Sequence, residues 1–457
     1  MAATARLRPP LRPIATIGPL ANAPARMPHA PAPPPATPAP PPAAPATPPR
    51  TGLLGHIRVL DLSRILSGPW ATQLLADFGA DVLKVERPGA GDDLREQGAR
   101  LLDRDGRETS ERAMFLATNR GKRSLAIDIA HPEGQALVRA LAAQCDVVVE
   151  NFKTGDLARY GLDYAALSAL NPRLVYCSIT GFGQSGPYAQ LPGYDLIFQA
   201  MSGVMSLTGA PDGEPGAGPQ RAGFPVADLT TGLYATSGIL AALHHRDTVS
   251  GRGQHIDLAL LDAQVAVLGG MAEGYLIRGQ LPQKVGLGSQ MTAPYGHFRC
   301  ADGDILIAVG NDKQFAALCQ VLGRSEWLAE PRFATTPQRV AHRDELAGLI
   351  NAVLATRPVA EWMPALRAAV VPAGPIHDFR QVFDDPQIRH RGVVKTLPHP
   401  LSGTVPVVGN PLHFSETPVA YDRPPPLLGQ HTAEVLRERL GLDDAALARL
   451  AGQGVIA

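Results

Sequence analysis

The chain has 457 residues, 45% hydrophobic and 18% charged, enough for a large core in one or two domains. Formal net charge is zero, and five of the 42 basic residues but none of the 42 acidic ones fall in the first fifty positions. The remainder is therefore net acidic, which argues against a broad nucleic-acid-binding surface and requires any anionic ligand to find a local basic pocket. The four cysteines, Cys145, Cys177, Cys300 and Cys319, show no C-x-x-C pairing or zinc-ligand spacing. No run of about eighteen apolar residues marks a membrane span.

Residues 1–52 read as a disordered Pro/Ala-rich extension, because such a composition buries too little apolar surface to offset its ordering entropy. Its arginines fit an organellar targeting peptide, while its prolines oppose the amphipathic helix such peptides form. The Ala, Gly, Pro and Arg content of the whole chain fits a bacterial cytoplasmic protein, with an organelle matrix as the alternative.

From Gly55 onward strands alternate with helices. Residues 57–63 read as a buried strand, 67–79 as a helix with Pro69 in its first turn, and 80–86 as the next strand. This opening is Rossmann-like, and Glu86 stands where an NAD enzyme places its ribose-binding acid. The first turn, however, reads R-I-L-S-G-P, with one glycine in place of G-x-G-x-x-G, which argues against an NAD site. Further strands are expected at 124–129, 145–152, 174–183 and 251–260, with a helix at 131–143. The pattern predicts an α/β fold with a doubly wound parallel sheet, whose ligands bind beyond the carboxyl ends of the strands.

Asp228 follows a Gly/Pro-rich loop and opens a segment in which Leu229, Leu233, Leu240 and Leu243 recur at helical spacing. Two readings stand side by side: an N-cap, and a carboxylate held ionised and aimed for nucleophilic attack. Residues 262–278 read as one more helix, 304–310 as a strand, the stretch to about 370 as helices, 371–376 as a stiff connector, and 399–409 as a hairpin-like return before a final helix.

The pieces D-L-S-R-I-L-S-G-P, G-A-D-V-L-K-V-E-R-P-G-x-G-D, N-R-G-K-R-S-L, V-E-N-F, G-F-G-Q-S-G-P-Y, G-Y-D-L, A-D-L-T-T-G-L-Y-A and V-P-A-G-P-I, in this order, resemble the class III CoA-transferases, the CaiB/BaiF family, over residues 53–455. The ending R-P-P-P-L-L-G-Q-H-T is further similar to dicarboxylate-using members such as succinyl-CoA:glutarate CoA-transferases. The resemblance implies a Rossmann-like large domain from residues 53–280 and 376–457, an inserted small α/β domain at 281–375, and an interlocked homodimer. It implies Asp228 as the nucleophile that carries CoA between acids. Tyr194, Asp195, Gly286, Gly288 and Ser289 would shape the site, the last three in a mobile glycine loop. CoA contacts would fall on Leu66, Ser67, Arg87, Ile127 to Ala130, Asn151, Phe152 and Arg159. The substrates are then an acyl-CoA and a small carboxylic acid, with no metal and no resident cofactor. Oxyanion donors are expected at the start of the Asp228 helix or in the 286–289 loop.

Lys122 and Arg123 are further candidates for phosphate, Arg221 and Arg299 for a distal carboxylate, and Trp70 and Phe78 read as core. A 2-methylacyl-CoA racemase of the same family is the rival, but its catalytic His corresponds to Tyr194, and a phenol with a reference pKa of about 10 is a poor base at neutral pH. A non-catalytic acyl-CoA-binding protein would be expected to lack the nucleophile or the glycine loop.

Overall fold

The computed structural model describes residues 52–457, and the expected extension lies outside them but for its last residue. The strands Arg58–Asp61, Asp81–Glu86, Lys122–Ala126, Val147–Glu150, Val175–Thr180 and His255–Ala259 form one six-stranded sheet. Every neighbouring pair is parallel, in the spatial order Lys122–Ala126, Asp81–Glu86, Arg58–Asp61, Val147–Glu150, Val175–Thr180, His255–Ala259. The chain builds outward from Arg58–Asp61 in one direction and then returns to its other side. The strand order therefore switches between Arg58–Asp61 and Val147–Glu150, and a crevice opens beyond their carboxyl ends.

Alternating side chains explain why the sheet is covered on both faces. Leu60, Leu83, Val148 and Tyr176 point into one core layer, which the C-terminal residues Val435, Leu436 and Leu450 complete. Val59, Val82, Val149 and Cys177 point into the other, against Leu75, Ala235 and Ile239. The last residues close over the sheet edge: the Asp128 N–H donates to the Val455 carbonyl and Ala457 N–H to that of Ala126.

The strand expected at 124–129 ends instead at Ala126. Asp128 accepts the Ala130 N–H at 2.9 Å, turning the chain so that residues 127–130 lie beyond the strand's carboxyl end. The helix expected at 262–278 is two, Leu260–Ala266 and Gly270–Arg278, bent by 80° at the break, where Gly269 has φ 49°. Residues 373–375 of the expected connector form the third strand of an antiparallel sheet with Tyr295–Arg299 and Asp304–Ala308. That sheet has its own core, in which Phe298, Ile305, Ile307, Leu318, Trp327 and Trp362 are buried. The return expected at 399–409 is the hairpin Val394–His399 with Gly403–Val408. Two helices rather than one end the chain, Thr432–Leu440 and Asp444–Gly452.

The helix Val226–His245 runs on to Ser250 and is long and apolar enough to cross a membrane. In this fold its Ala227, Ala235, Ile239 and Ala242 are buried against the sheet and its neighbours. It packs on the helix Ser67–Asp77 with no room to spare. A Cβ at Gly232 would stand 2.8 Å from the Ser67 carbonyl oxygen and 2.8 Å from the Trp70 ring. Gly232→Ala should therefore push the two helices apart. The overpacking outweighs the helix-propensity gain, for a net loss of about 1–2 kcal/mol, readable by denaturant titration.

Candidate active site

Segments that follow the sheet strands converge at the switch point. Arg64 follows the first strand and Asn151 the fourth, and they lock together: Arg64 N–H donates to Asn151 Oδ1 at 2.9 Å, and Asn151 Nδ2 donates to the Arg64 carbonyl at 2.6 Å. On one side lies a cavity of about 250 Å3 whose wall includes Arg87, Ile127 to Ala130, Phe152 and Arg159. Arg87 and Arg159 are exposed and make no ion pair among the described residues, so two guanidinium groups are available to an anionic ligand. On the other side lies a cavity of about 330 Å3 with Ser67, Asn151, Tyr194 and Asp228 on its wall. Arg64 and Phe152 line both, with the guanidinium carbon 5.5 Å from the ring centroid. The two cavities thus adjoin across this pair. Next to them the buried Glu150 accepts the Phe152 N–H at 2.8 Å, and burial pushes its carboxyl up to about 7.

Asp228 is not the N-cap. Its helix starts at Val226, after Pro225, and Asp228 lies in the first turn with its side chain free of backbone duty. The cap comes from another helix: Asp195 Oδ1 accepts the Ala227 N–H at 2.8 Å and the Asp228 N–H at 3.2 Å. Proline at 225 brings no cap side chain, and the carboxylate of Asp195 takes over both the orphan donors and the dipole. This engages the helix-start N–H groups that were expected to serve as oxyanion donors. Ser67 Oγ, in the first turn of its own helix, donates to Asp228 Oδ1. Burial pushes the Asp228 carboxyl up to about 6; the Ser67 hydroxyl opposes that rise and the Asp195 charge adds to it.

The ionised population of Asp228 rises through pH about 6. A nucleophilic Asp228 would give the kcat/KM profile an acid limb with a midpoint near 6, and Asp195→Asn would then move that limb to lower pH by removing a repulsive charge.

The remaining expected positions divide. Leu66 is buried against Leu94 and Phe115, so its side chain belongs to the core, and a ligand contact there falls to its backbone. Tyr194 is 74% exposed on the wall of the Asp228 cavity. Gly286, Gly288 and Ser289 are not brought to Asp228 in this conformation: Gly286 faces Pro211, and the Ser289 carbonyl accepts Arg343 Nη1 at 3.2 Å. Lys122 and Arg123 are no phosphate ligands here. Lys122 is fully buried on Asp61, 3.0 Å away, and Arg123 pairs with Asp81 and Glu438. Arg221 is exposed off both cavities, and Arg299 faces Asp304 in the second sheet. Trp70 is partly buried against the Val405–Val408 strand segment, and Phe78 packs edge-on to Phe414. Glu86 serves no ribose: it is buried on Arg95 at 2.7 Å. Sequence reasoning passed over Arg64 and Lys153, the two cations lining the Asp228 cavity. Arg64 lies inside the motif D-L-S-R-I-L-S-G-P, and Lys153 directly follows V-E-N-F. Among the described residues no group of three His, Cys, Asp or Glu side chains is placed to hold a metal ion.

Residues 54–432 match the family model described as CoA-transferase family III. The chain belongs to this family. It is 48% identical to the succinate–glutarate CoA-transferase of Agrobacterium fabrum over 385 residues, covering 84% of this chain and 95% of that one. It is 40% identical to the human succinyl-CoA:glutarate CoA-transferase over 400 residues, covering 88% and 89%. A crystal structure of a CaiB/BaiF family protein from Brucella suis superimposes with a TM-score of 0.76 at 44% identity, covering 85% of this chain and all of that one. As a class III CoA-transferase the protein acts on CoA thioesters, and the doubly wound sheet with its crevice is the frame this family uses.

Proposed function

We propose that this CoA-transferase moves CoA from succinyl-CoA to a dicarboxylic acid of the glutarate type, with Asp228 as the covalent carrier. The observation that carries this reading is the half-buried Asp228 carboxylate in a cavity that adjoins a second one bearing two guanidinium groups that make no ion pair among the described residues. The Arg87 and Arg159 side fits the phosphates of CoA; the Asp228 side fits the thioester end. The relatives from Agrobacterium and human, named for succinate or succinyl-CoA and glutarate, support the substrate class.

An Asp228 oxygen attacks the thioester carbonyl, the tetrahedral intermediate collapses, and the C–S bond breaks to release CoA thiolate and leave a mixed anhydride. The thiolate attacks the Asp228 carbonyl carbon, freeing the donor acid as its carboxylate and forming an Asp228–CoA thioester. The acceptor carboxylate then attacks that thioester, again expelling thiolate and forming a mixed anhydride. The thiolate attacks the acceptor's acyl carbon, yielding the new CoA ester and regenerating Asp228. The thioester is conserved throughout, so no ATP is consumed. With the Ala227 and Asp228 N–H groups engaged by Asp195, the 286–289 loop is the source of oxyanion donors that this reading requires, delivered by closure over the cavity.

The same reading includes a homodimer. Ile197, Met201, Leu233 and Tyr234 are exposed on the helix that caps Asp228 and on the helix that carries it, an apolar surface of the kind a second copy covers. The separate core of Phe298–Val371 and the return of the C-terminal segment onto the first sheet support the division into a large domain with an inserted small one.

The test uses the purified chain in D2O with succinyl-CoA, a 2-methylacyl-CoA and a pool of carboxylic acids, with mass spectrometry of all CoA esters. New esters without deuterium at the α-carbon support transfer and name the acceptor. Deuterium in the methylacyl-CoA with no new ester would replace this reading with the racemase, which the transferase relatives do not favour.

A further inference from the structure

The turn from Ser63 to Leu66 joins the first strand to the helix that carries Ser67, and five of its backbone groups are held by side chains, four of them by residues distant in sequence. Ser63 N–H donates to Asp61 at 3.0 Å. The Ser63 carbonyl accepts Lys84 Nζ at 2.9 Å. Both backbone groups of Arg64 are bound to Asn151. Ile65 N–H donates to Asp92 Oδ1 at 3.1 Å. At the centre of this clamp Ile65 has φ 66°, a left-handed conformation that a β-branched residue rarely adopts. The only other non-glycine residue with positive φ among the described residues is Val370, which is 80% exposed.

Lys84 and Asp92 form a buried ion pair at 2.9 Å, with side chains 0% and 1% exposed. A buried pair is a weak device for stability alone. This one grips the strained turn at two points, Ser63 through Lys84 and Ile65 through Asp92, and Asp92 is itself fixed through its N–H to Glu86 at 3.1 Å. Two residues beyond Ile65, Ser67 reaches Asp228. We propose that Asp92, locked by Lys84, is a positioning residue that holds the Ile65 turn in its strained form so that the Ser67 hydroxyl is presented to the Asp228 carboxylate. The inference rests on Asp228 being the nucleophile.

The clamp has a signature that a merely structural role lacks. The groups facing Asp228 are Ser67 from the first helix, Asp195 from its own short helix, and Arg64, Asp93 and Lys153 on the cavity wall. The Tyr194 phenol lies on the same wall. Of these groups, Ser67 is the hydrogen-bond donor that favours the ionised form, so losing its alignment raises the Asp228 carboxyl further.

The experiment compares pH profiles of succinyl-CoA-to-glutarate transfer for the wild type, Asp92→Asn, Ser67→Ala, the double variant, and Asp92→Asn/Ile65→Gly. Loss of one hydrogen bond to a carboxylate is worth about one pKa unit, so each single variant should lose roughly fivefold at pH 6 and little at pH 8. The Asp92→Asn/Ser67→Ala variant should lose no more than either single one. Glycine is at ease at φ 66°, so Ile65→Gly makes the clamp dispensable and should return the Asp92→Asn profile to that of the wild type. A loss equal at all pH values, an additive double variant, or no rescue by Ile65→Gly overturns the proposal. If Asp92→Asn does not fold, the Ile65→Gly combination decides: folding with a wild-type profile supports the clamp, and failure to fold makes Asp92 structural. Asp228→Asn runs alongside. If it is inactive while Asp92→Asn shows no pH signature, only the clamp fails; if it stays active, the nucleophile reading fails first.

Discussion

Asp228→Asn should lose transfer by on the order of 10⁴-fold or more while the protein becomes more stable at neutral pH. The activity loss follows from removing the group proposed to carry both acyl and CoA, an effect of the size seen when a covalent nucleophile is deleted. The stability gain follows from linkage. The folded Asp228 carboxyl is pushed to about 6, above its ordinary 3.8, so the fold favours the protonated form and ionisation costs stability as pH rises from 3.8 through 6. An amide keeps an acceptor for Ser67 and carries no charge towards Asp195. After discounting for partial solvent access, the gain is about 1–2 kcal/mol at pH 7, fading as pH falls through 6 towards 3.8. Urea titrations of both proteins at pH 7 and pH 4.5 measure it. A variant that is inactive but no more stable would mean that Asp228 sits in a wetter site than this cavity.

Lys122→Met should be the most destabilising single change among the buried ion pairs, at about 3–5 kcal/mol, with CoA binding by the folded fraction unchanged. Lys122 Nζ donates to Asp61 at 3.0 Å, the Pro69 carbonyl at 2.9 Å and Asn119 at 2.8 Å, and both ionic partners are fully buried. Burial alone would raise the Asp61 carboxyl; the Lys122 and Lys84 ammonium groups, with the Ser63 and Thr72 hydroxyls, outweigh it and hold Asp61 at about 2. Methionine fills the space and strands that carboxylate. Thermal unfolding should shift far down, and Asp61→Leu in the same chain should recover much of the loss. An unchanged melting temperature with a raised KM for the CoA ester would make Lys122 a ligand contact after all.

The sheet was legible because its strands are short apolar runs between turn residues, and a parallel sheet buried on both faces demands such runs. The helix break at Gly269 and the strand at Ala373–Pro375 were hidden, the first because apolar spacing continues across it, the second because a three-residue strand with glycine and proline carries no strand signal. Asp228 was legible as a residue at a helix start, yet the capping statistics pointed to the wrong role. The cap is Asp195, 33 residues upstream, and no local pattern reports a cap supplied from another helix. Lys122 and Arg123 illustrate the same limit from the other side. In sequence they are a basic pair near a motif; in the fold they are the cationic halves of buried pairs with Asp61 and Asp81. Arg87 was reachable because residues at the carboxyl ends of parallel strands share one crevice, whereas Arg159, in the short helix Asp156–Tyr160, came only through the family resemblance.

The most direct measurement is to trap the covalent carrier. The protein is mixed with succinyl-CoA without an acceptor, treated with hydroxylamine or borohydride, digested, and the peptide containing Asp228 is read by mass spectrometry. A hydroxamate or reduced alcohol at Asp228, diminished when excess glutarate draws the Asp228–CoA thioester on to glutaryl-CoA, is the result expected of a CoA-carrying nucleophile. An unmodified Asp228 in a preparation that still forms glutaryl-CoA would contradict the account, because transfer would then proceed without it.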